Sequence, residues 1–300
     1  MKAPSLLATV LVVGSAAGCD DSLQEGWLID RTRVLGARVE AVDEPERASL
    51  AAGESGRILW LVAGPEDTSR LAWAFAACLP PEGNFSDPAC ETSVLAAGSG
   101  SASAELVAMD ITVPPAEELD AADELLVLAA FCSDGAPELD ARTFTATCAS
   151  GEPLLASLLL RLASAGANAN PPPPSVRLGR SALPADDVAA SVAPCDPESG
   201  APEIDAGGAK LDLVYEFDDA AREAGESMLL STFVTSGKLD RQYSALDPDE
   251  DTPKEVDVSW TPPGEDAAGD SGVAVRFYVV LRDGRGGTSL ARFSVCVRAS

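Results

Sequence analysis

Apolar and polar side chains alternate most clearly near the C-terminal end. Val273, Val275, Phe277, Val279 and Leu281 are interleaved there with Ala274, Arg276, Tyr278, Val280 and Arg282. The run turns at Asp283-Gly284-Arg285-Gly286-Gly287 and returns through Phe293, Val295 and Val297. A period of two with one apolar face predicts a β-hairpin. The same pattern predicts strands over 33–42, 57–63, 70–78, 104–113 and 124–132, with Gly53-Glu54-Ser55-Gly56 and Gly64-Pro65-Glu66-Asp67 as turns between the first three. Residues 114–123 are acidic and Ala-rich and predict one helical turn, and 154–162, apolar but for Ser157 and Arg161, could form a helix but reads better as the closing strand of a sandwich.

The second half repeats the plan of the first. Residues 210–217 parallel 57–63, and 229–236, with Phe233, parallel 71–78, with Phe75. Val113-Pro114-Pro115-Ala116-Glu117 matches Thr261-Pro262-Pro263-Gly264-Glu265, and the apolar strand after each leads to Asp134-Gly135 or Asp283-Gly284. The offset is 148 residues at the prolines and 149 at Asp-Gly, a register that points to duplication. Between the copies, 165–175 carries Asn168-Ala169-Asn170 and four prolines, the composition of a semi-rigid spacer. Two copies of short strands with frequent turns predict an all-β protein of two tandem β-sandwiches, which resemble immunoglobulin-like domains. The expected division is a signal peptide over 1–18, a tether over 19–26, a first sandwich over 27–164, a Pro-rich linker over 165–175 and a second sandwich over 176–300.

The first residues have a different pattern. Lys2 is followed by an apolar stretch at 6–13 and by Ser15-Ala16-Ala17-Gly18, ending at Cys19. This is the layout of a signal peptide, with an apolar run too short to span a bilayer. It resembles the lipobox of bacterial lipoproteins, which implies lipidation of Cys19 and anchoring without spanning; the alternative is an ordinary cleaved signal with an incidental cysteine. Arg33-Val34-Leu35-Gly36-Ala37-Arg38 and Val280-Leu281-Arg282-Asp283-Gly284-Arg285-Gly286-Gly287 resemble segments of the Ala-rich, acidic envelope lipoproteins of myxobacteria. The chain as a whole resembles the immunoglobulin-like and fibronectin type III-like modules of bacterial surface proteins. These resemblances imply a cell-envelope, extracytoplasmic address.

Charge narrows the partners. The chain carries 48 acidic and 21 basic residues, and removal of 1–18 takes its net charge from −27 to −28. Such a surface repels phosphate backbones, so nucleic acid is excluded as a partner. The expected contacts are a membrane, through the N-terminal lipid, and an envelope protein or polysaccharide. Six cysteines remain after Cys19, and in an exported chain an even number reads as disulfides. Six allow fifteen pairings. Cys78 and Cys132 end two strands expected to run antiparallel, which puts these ends at opposite edges of the sheet. The expected bonds are therefore Cys78 with Cys90, Cys132 with Cys148, and Cys195 with Cys296.

Candidate chemistry is sparse. The chain has no His, which removes the Ser-His-Asp triad, Cys–His pairs and His-bearing zinc sites. Gly284-Arg285-Gly286-Gly287 lacks the Lys-Ser and the helix of a phosphate loop. Asp247, Asp249 and Asp251 begin like an EF-hand, but Thr252 and Val258 stand where that loop needs Gly and Glu, leaving only a looser calcium site between strands. No cofactor is expected. The sequence therefore predicts a binding or structural envelope protein without catalysis. A calcium-dependent adhesive module and a hydrolase using carboxylates alone are the alternatives, and loops 79–90 and 133–148 are the expected contact surfaces.

Overall fold

The computed structural model describes residues 25–65, 70–81, 88–102, 105–163, 168–185, 195–196, 199–217, 226–246, 255–269 and 271–299. The leader, Cys19 and the acidic run at 247–251 lie outside them.

The first half contains β1 (Arg33–Ala41), β2 (Ser55–Ala63), β3 (Leu71–Cys78), β4 (Ala96–Ala102), β5 (Leu106–Thr112), β6 (Glu124–Cys132), β7 (Glu138–Asp140), β8 (Thr145–Thr147) and β9 (Leu154–Arg161). One sheet has the order β1-β2-β5, the facing sheet β4-β3-β6-β9, and β7 pairs with β8. The second half contains β10 (Ser175–Leu178), β11 (Ser181–Leu183), β12 (Glu203–Asp205), β13 (Leu211–Glu216), β14 (Met228–Val234), β15 (Lys238–Leu239), β16 (Tyr243–Leu246), β17 (Glu255–Thr261), β18 (Val273–Arg282) and β19 (Thr288–Arg298). Its sheets run β11-β10-β13-β17-β15 and β12-β19-β18-β14-β16.

The duplication is visible in these orders. β10-β13-β17 repeats β1-β2-β5, and β16-β14-β18-β19 repeats β4-β3-β6-β9. The helical turn expected at 114–123 is a 3-10 turn at Ala116–Glu118, and α1 at Glu265–Ala268 stands in the same place in the second copy. The chain is thus all-β and made of immunoglobulin-like sandwiches. Each core has an indole against a phenyl ring, edge to face: Trp60 on Phe131 at 5.9 Å, and Trp260 on Phe277 at 5.0 Å.

Three departures from the sequence reading have physical causes. β4, Ala-Ala-Gly-Ser-Gly-Ser-Ala, has no apolar alternation because its partner supplies the bulk: Trp73 lies opposite Gly100 and Phe75 opposite Gly98. A Cβ at Gly100 would come within 2.5 Å of the Trp73 ring, so the aromatic rows exclude larger residues. Second, Trp27, expected in the first sandwich, is buried in the core of the second; Ile29 N–H donates to Val234 O, and Val234 N–H to Trp27 O. The first sandwich therefore begins only near β1. Third, the linker does not hang free between the sandwiches. Asn168 and Asn170 are buried, Ala48 N–H donates to Asn168 O, and Asn170 N–H donates to Glu46 O.

Three disulfides close, Cys78–Cys90, Cys132–Cys148 and Cys195–Cys296. Such bonds persist in oxidising compartments, which makes the fold extracytoplasmic in character. Among the described residues no helix is long and apolar enough to cross a membrane.

Candidate binding site

The two sandwiches meet along a seam. Leu35, Leu61 and Ala63 of β1 and β2 pack with Phe233, Tyr278 and Val280 of β14 and β18. This explains why β18 is apolar on both faces: Val275, Phe277, Val279 and Leu281 fill its own core, while Tyr278 and Val280 face the neighbour. Polar groups also pair across the seam. Tyr278 Oη donates to Glu105 Oε1 at 2.8 Å, and Arg292 Nη1 lies 2.9 Å from Glu105 Oε2. Burial, with the Glu105 carboxylate beside it, pushes the Tyr278 phenol well above its ordinary range, so it stays a donor. The linker adds stitches: Asn170 Nδ2 donates to Val39 O at 2.7 Å, Thr288 N–H donates to Asn170 Oδ1 at 3.0 Å, and Asn168 Nδ2 donates to Asp283 Oδ2 at 2.7 Å.

Beside the seam lies a cleft of about 680 Å³. Its walls are two sheet edges, because β1 ends the order β1-β2-β5 and β9 ends β4-β3-β6-β9. The turn between β18 and β19 adds Gly284, Gly286, Gly287 and Thr288. Further along β9 the gap is filled: Leu50 N–H donates to Arg161 O and Leu50 O accepts from Ala163 N–H. Since Arg161 O faces this side, antiparallel alternation turns the backbone N–H and C=O of Leu155, Ser157 and Leu159 toward it as well. On β1, Val39 O and Ala41 N–H face the same side through Asn170 and Arg47, which brings the Ala37 amide to the edge too.

The charged side chains of the cleft are donors. Arg33 donates to Leu28 O and stands 5.7 Å from the Phe233 ring centre, but its buried Nε has no partner. Arg282 Nη2 donates to Leu35 O at 3.0 Å. Burial pulls both guanidinium pKa values below their usual range, which for Arg33 is partly offset by Asp30. Among the described residues neither has a carboxylate at ion-pair distance. Trp60 forms part of the wall and is 2% exposed, and its Nε1 has no partner. In the other copy the Trp260 Nε1 donates to Ser236 O at 3.0 Å. None of the described lining residues is Asp or Glu, in a chain where 48 of 300 are.

The residues singled out from the sequence lie elsewhere. The Cys78–Cys90 disulfide and the β7–β8 hairpin pack on the outer face of β3 and β6, where Ala76, Leu126, Leu128 and Ala141 come together. The hairpin also shelters a second concavity of about 700 Å³, lined by Phe75, Val94, Leu139 and Arg142. Cys19, Asp247, Asp249 and Asp251 are outside the described residues; among those described, no group of three His, Cys, Asp or Glu is placed to hold a metal. Sequence reasoning passed over Arg33, Arg282 and Leu155 as site residues. The available signal was β9 itself, a strand without charge from Leu154 to Leu160.

No protein-family model matches the chain, and no curated protein matches it. Among solved structures, Escherichia coli alpha-2-macroglobulin activated by porcine elastase aligns with 89% of this chain at 10% identity and a TM-score of 0.23. This chain spans 22% of that protein's length.

Proposed function

We propose that this chain is a cell-envelope protein, held to a membrane by acyl chains on Cys19, that works by binding and performs no catalysis. The observation that carries the reading is the cleft: two strand edges and two guanidinium groups converge at the seam of two stitched sandwiches. The described lining offers donors and apolar walls, but no carboxylate, cysteine or histidine to move a proton or attack a substrate. Concave, largely apolar sites with a few convergent polar groups suit recognition. Three disulfides and the lipobox-like leader support the address outside the cytoplasm.

In-cell photo-crosslinking tests the site. A photoreactive side chain at Leu155, on the rim of the cleft and 39% exposed, is expected to form adducts in living cells. The same group at Val42, 63% exposed at the far end of β1, serves as control and is expected to form few. Equal or absent adducts at Leu155 would contradict a binding role. In the same cells, labelled palmitate is expected on the wild-type chain and not on Cys19→Ser; incorporation into both would contradict the anchor.

A further inference from the structure

We infer that the cleft takes one extended, acidic peptide segment of a partner protein, added as a strand to the free edge of β9 with a carboxylate on Arg33 and Arg282. This deepens the binding reading above and rests on it. An edge strand presents a row of unpaired N–H and C=O groups, and proteins ordinarily blunt such edges with charge, proline, a bulge or a covering segment. β1 has its bulge, between Val34 and Gly36. β9 has regular pairing with β6 along its length and no charged residue before Arg161. Among the described residues only its C-terminal end is covered, by Leu50. The stretch from Leu154 to Leu158 is left as an unblunted edge lining a cavity, which is the geometry of strand addition.

Chemistry selects the occupant. The two guanidinium groups have no carboxylate partner among the described residues, and the described lining brings no Asp or Glu, so the charge that fits here is negative. A peptide strand supplies carbonyls along its backbone and a carboxylate from its side chains. A second copy of this chain would bring another Arg33 and Arg282 to face the first pair in a two-fold contact, where like charges oppose. An acidic polysaccharide would satisfy the guanidinium groups but leave the amides of Leu155 and Ser157 without the regular partners that a strand offers.

The test uses the full chain, purified in detergent, and three short N-acetylated peptides in which valine alternates with aspartate, asparagine or lysine. Alginate is the acidic polysaccharide control. The aspartate peptide is expected to bind, the asparagine peptide about tenfold more weakly, and the lysine peptide not measurably. Binding is expected to slow hydrogen exchange at the Leu155 and Ser157 amides. Ser157→Pro removes an N–H from the free edge and none from the ladder to β6, so it is expected to keep its melting temperature and lose binding about tenfold. Leu155→Glu, a surface change that sets a negative charge beside the incoming strand, is expected to weaken it similarly. Equal binding of the aspartate and lysine peptides overturns the proposal. So does wild-type affinity in both variants, or binding of alginate without the peptide. Adducts at Leu155 in cells with no peptide binding in solution would overturn the strand proposal and leave the binding role standing.

Discussion

Glu105 receives both the Tyr278 hydroxyl and the Arg292 guanidinium from the other sandwich, and it is 4% exposed. Taking one partner out of a buried charge pair costs about 3–5 kcal/mol, because the remaining charge has already lost its water. Glu105→Ala is therefore expected to destabilise the chain by about 3 kcal/mol. Tyr278→Phe, which removes one hydrogen bond and leaves the ion pair, should cost about 1 kcal/mol. Urea titration of both variants checks this, and a Glu105→Ala loss no larger than that of Tyr278→Phe would show that the ion pair adds nothing. At this scale little was legible beforehand. Glu105 is one acid among 48, and its role comes from a partner 173 residues away. That only one of the two core indoles, Trp260 and not Trp60, finds an acceptor depends on the turn at Ser236.

Elements were easier to read where one strand carries its own apolar face. β3, β6 and β18 follow from alternation or from a continuous apolar run, and β6 is apolar on both faces because the sandwich core fills one and the β7–β8 hairpin covers the other. β4 was illegible because its burial is supplied by Trp73 and Phe75 across the ladder. The strand ends that pointed to Cys78 and Cys132 lie at opposite ends of the β3–β6 pair, Cys132 beside Ala72 and Cys78 beside Leu126. Loop length sets what each disulfide contributes. Cys195–Cys296 spans 101 residues of sequence and Cys132–Cys148 spans 16, worth roughly 4–5 and about 3 kcal/mol on the chain-entropy account. Replacing both cysteines of the first pair by Ala should lower the urea midpoint more than doing so for the second; the reverse order would mean that native packing, not loop closure, dominates.

For the molecule as a whole, the duplication was legible and the seam was not. Repeated motifs gave two copies, but nothing local says that Tyr278 and Val280 face a neighbour rather than solvent, or that the Asn residues of a Pro-rich stretch bind both halves. Sandwiches sharing an apolar cluster and buried hydrogen bonds should lose them together. A single calorimetric transition, with van't Hoff and calorimetric enthalpies equal, is expected for the full chain. Two separated transitions would mean that the seam is too weak to couple the halves. The placement of Trp27 has a mechanical consequence. Tension arriving through the polypeptide from the N-terminal side meets the second sandwich first, at the Trp27 ring and the Ile29–Val234 hydrogen bond, and reaches β1 only afterwards. With an anchor at Cys19, a tug from the membrane would load the joint between the two bodies before it could peel β1 from β2, so the seam would act as the strain relief of the tether.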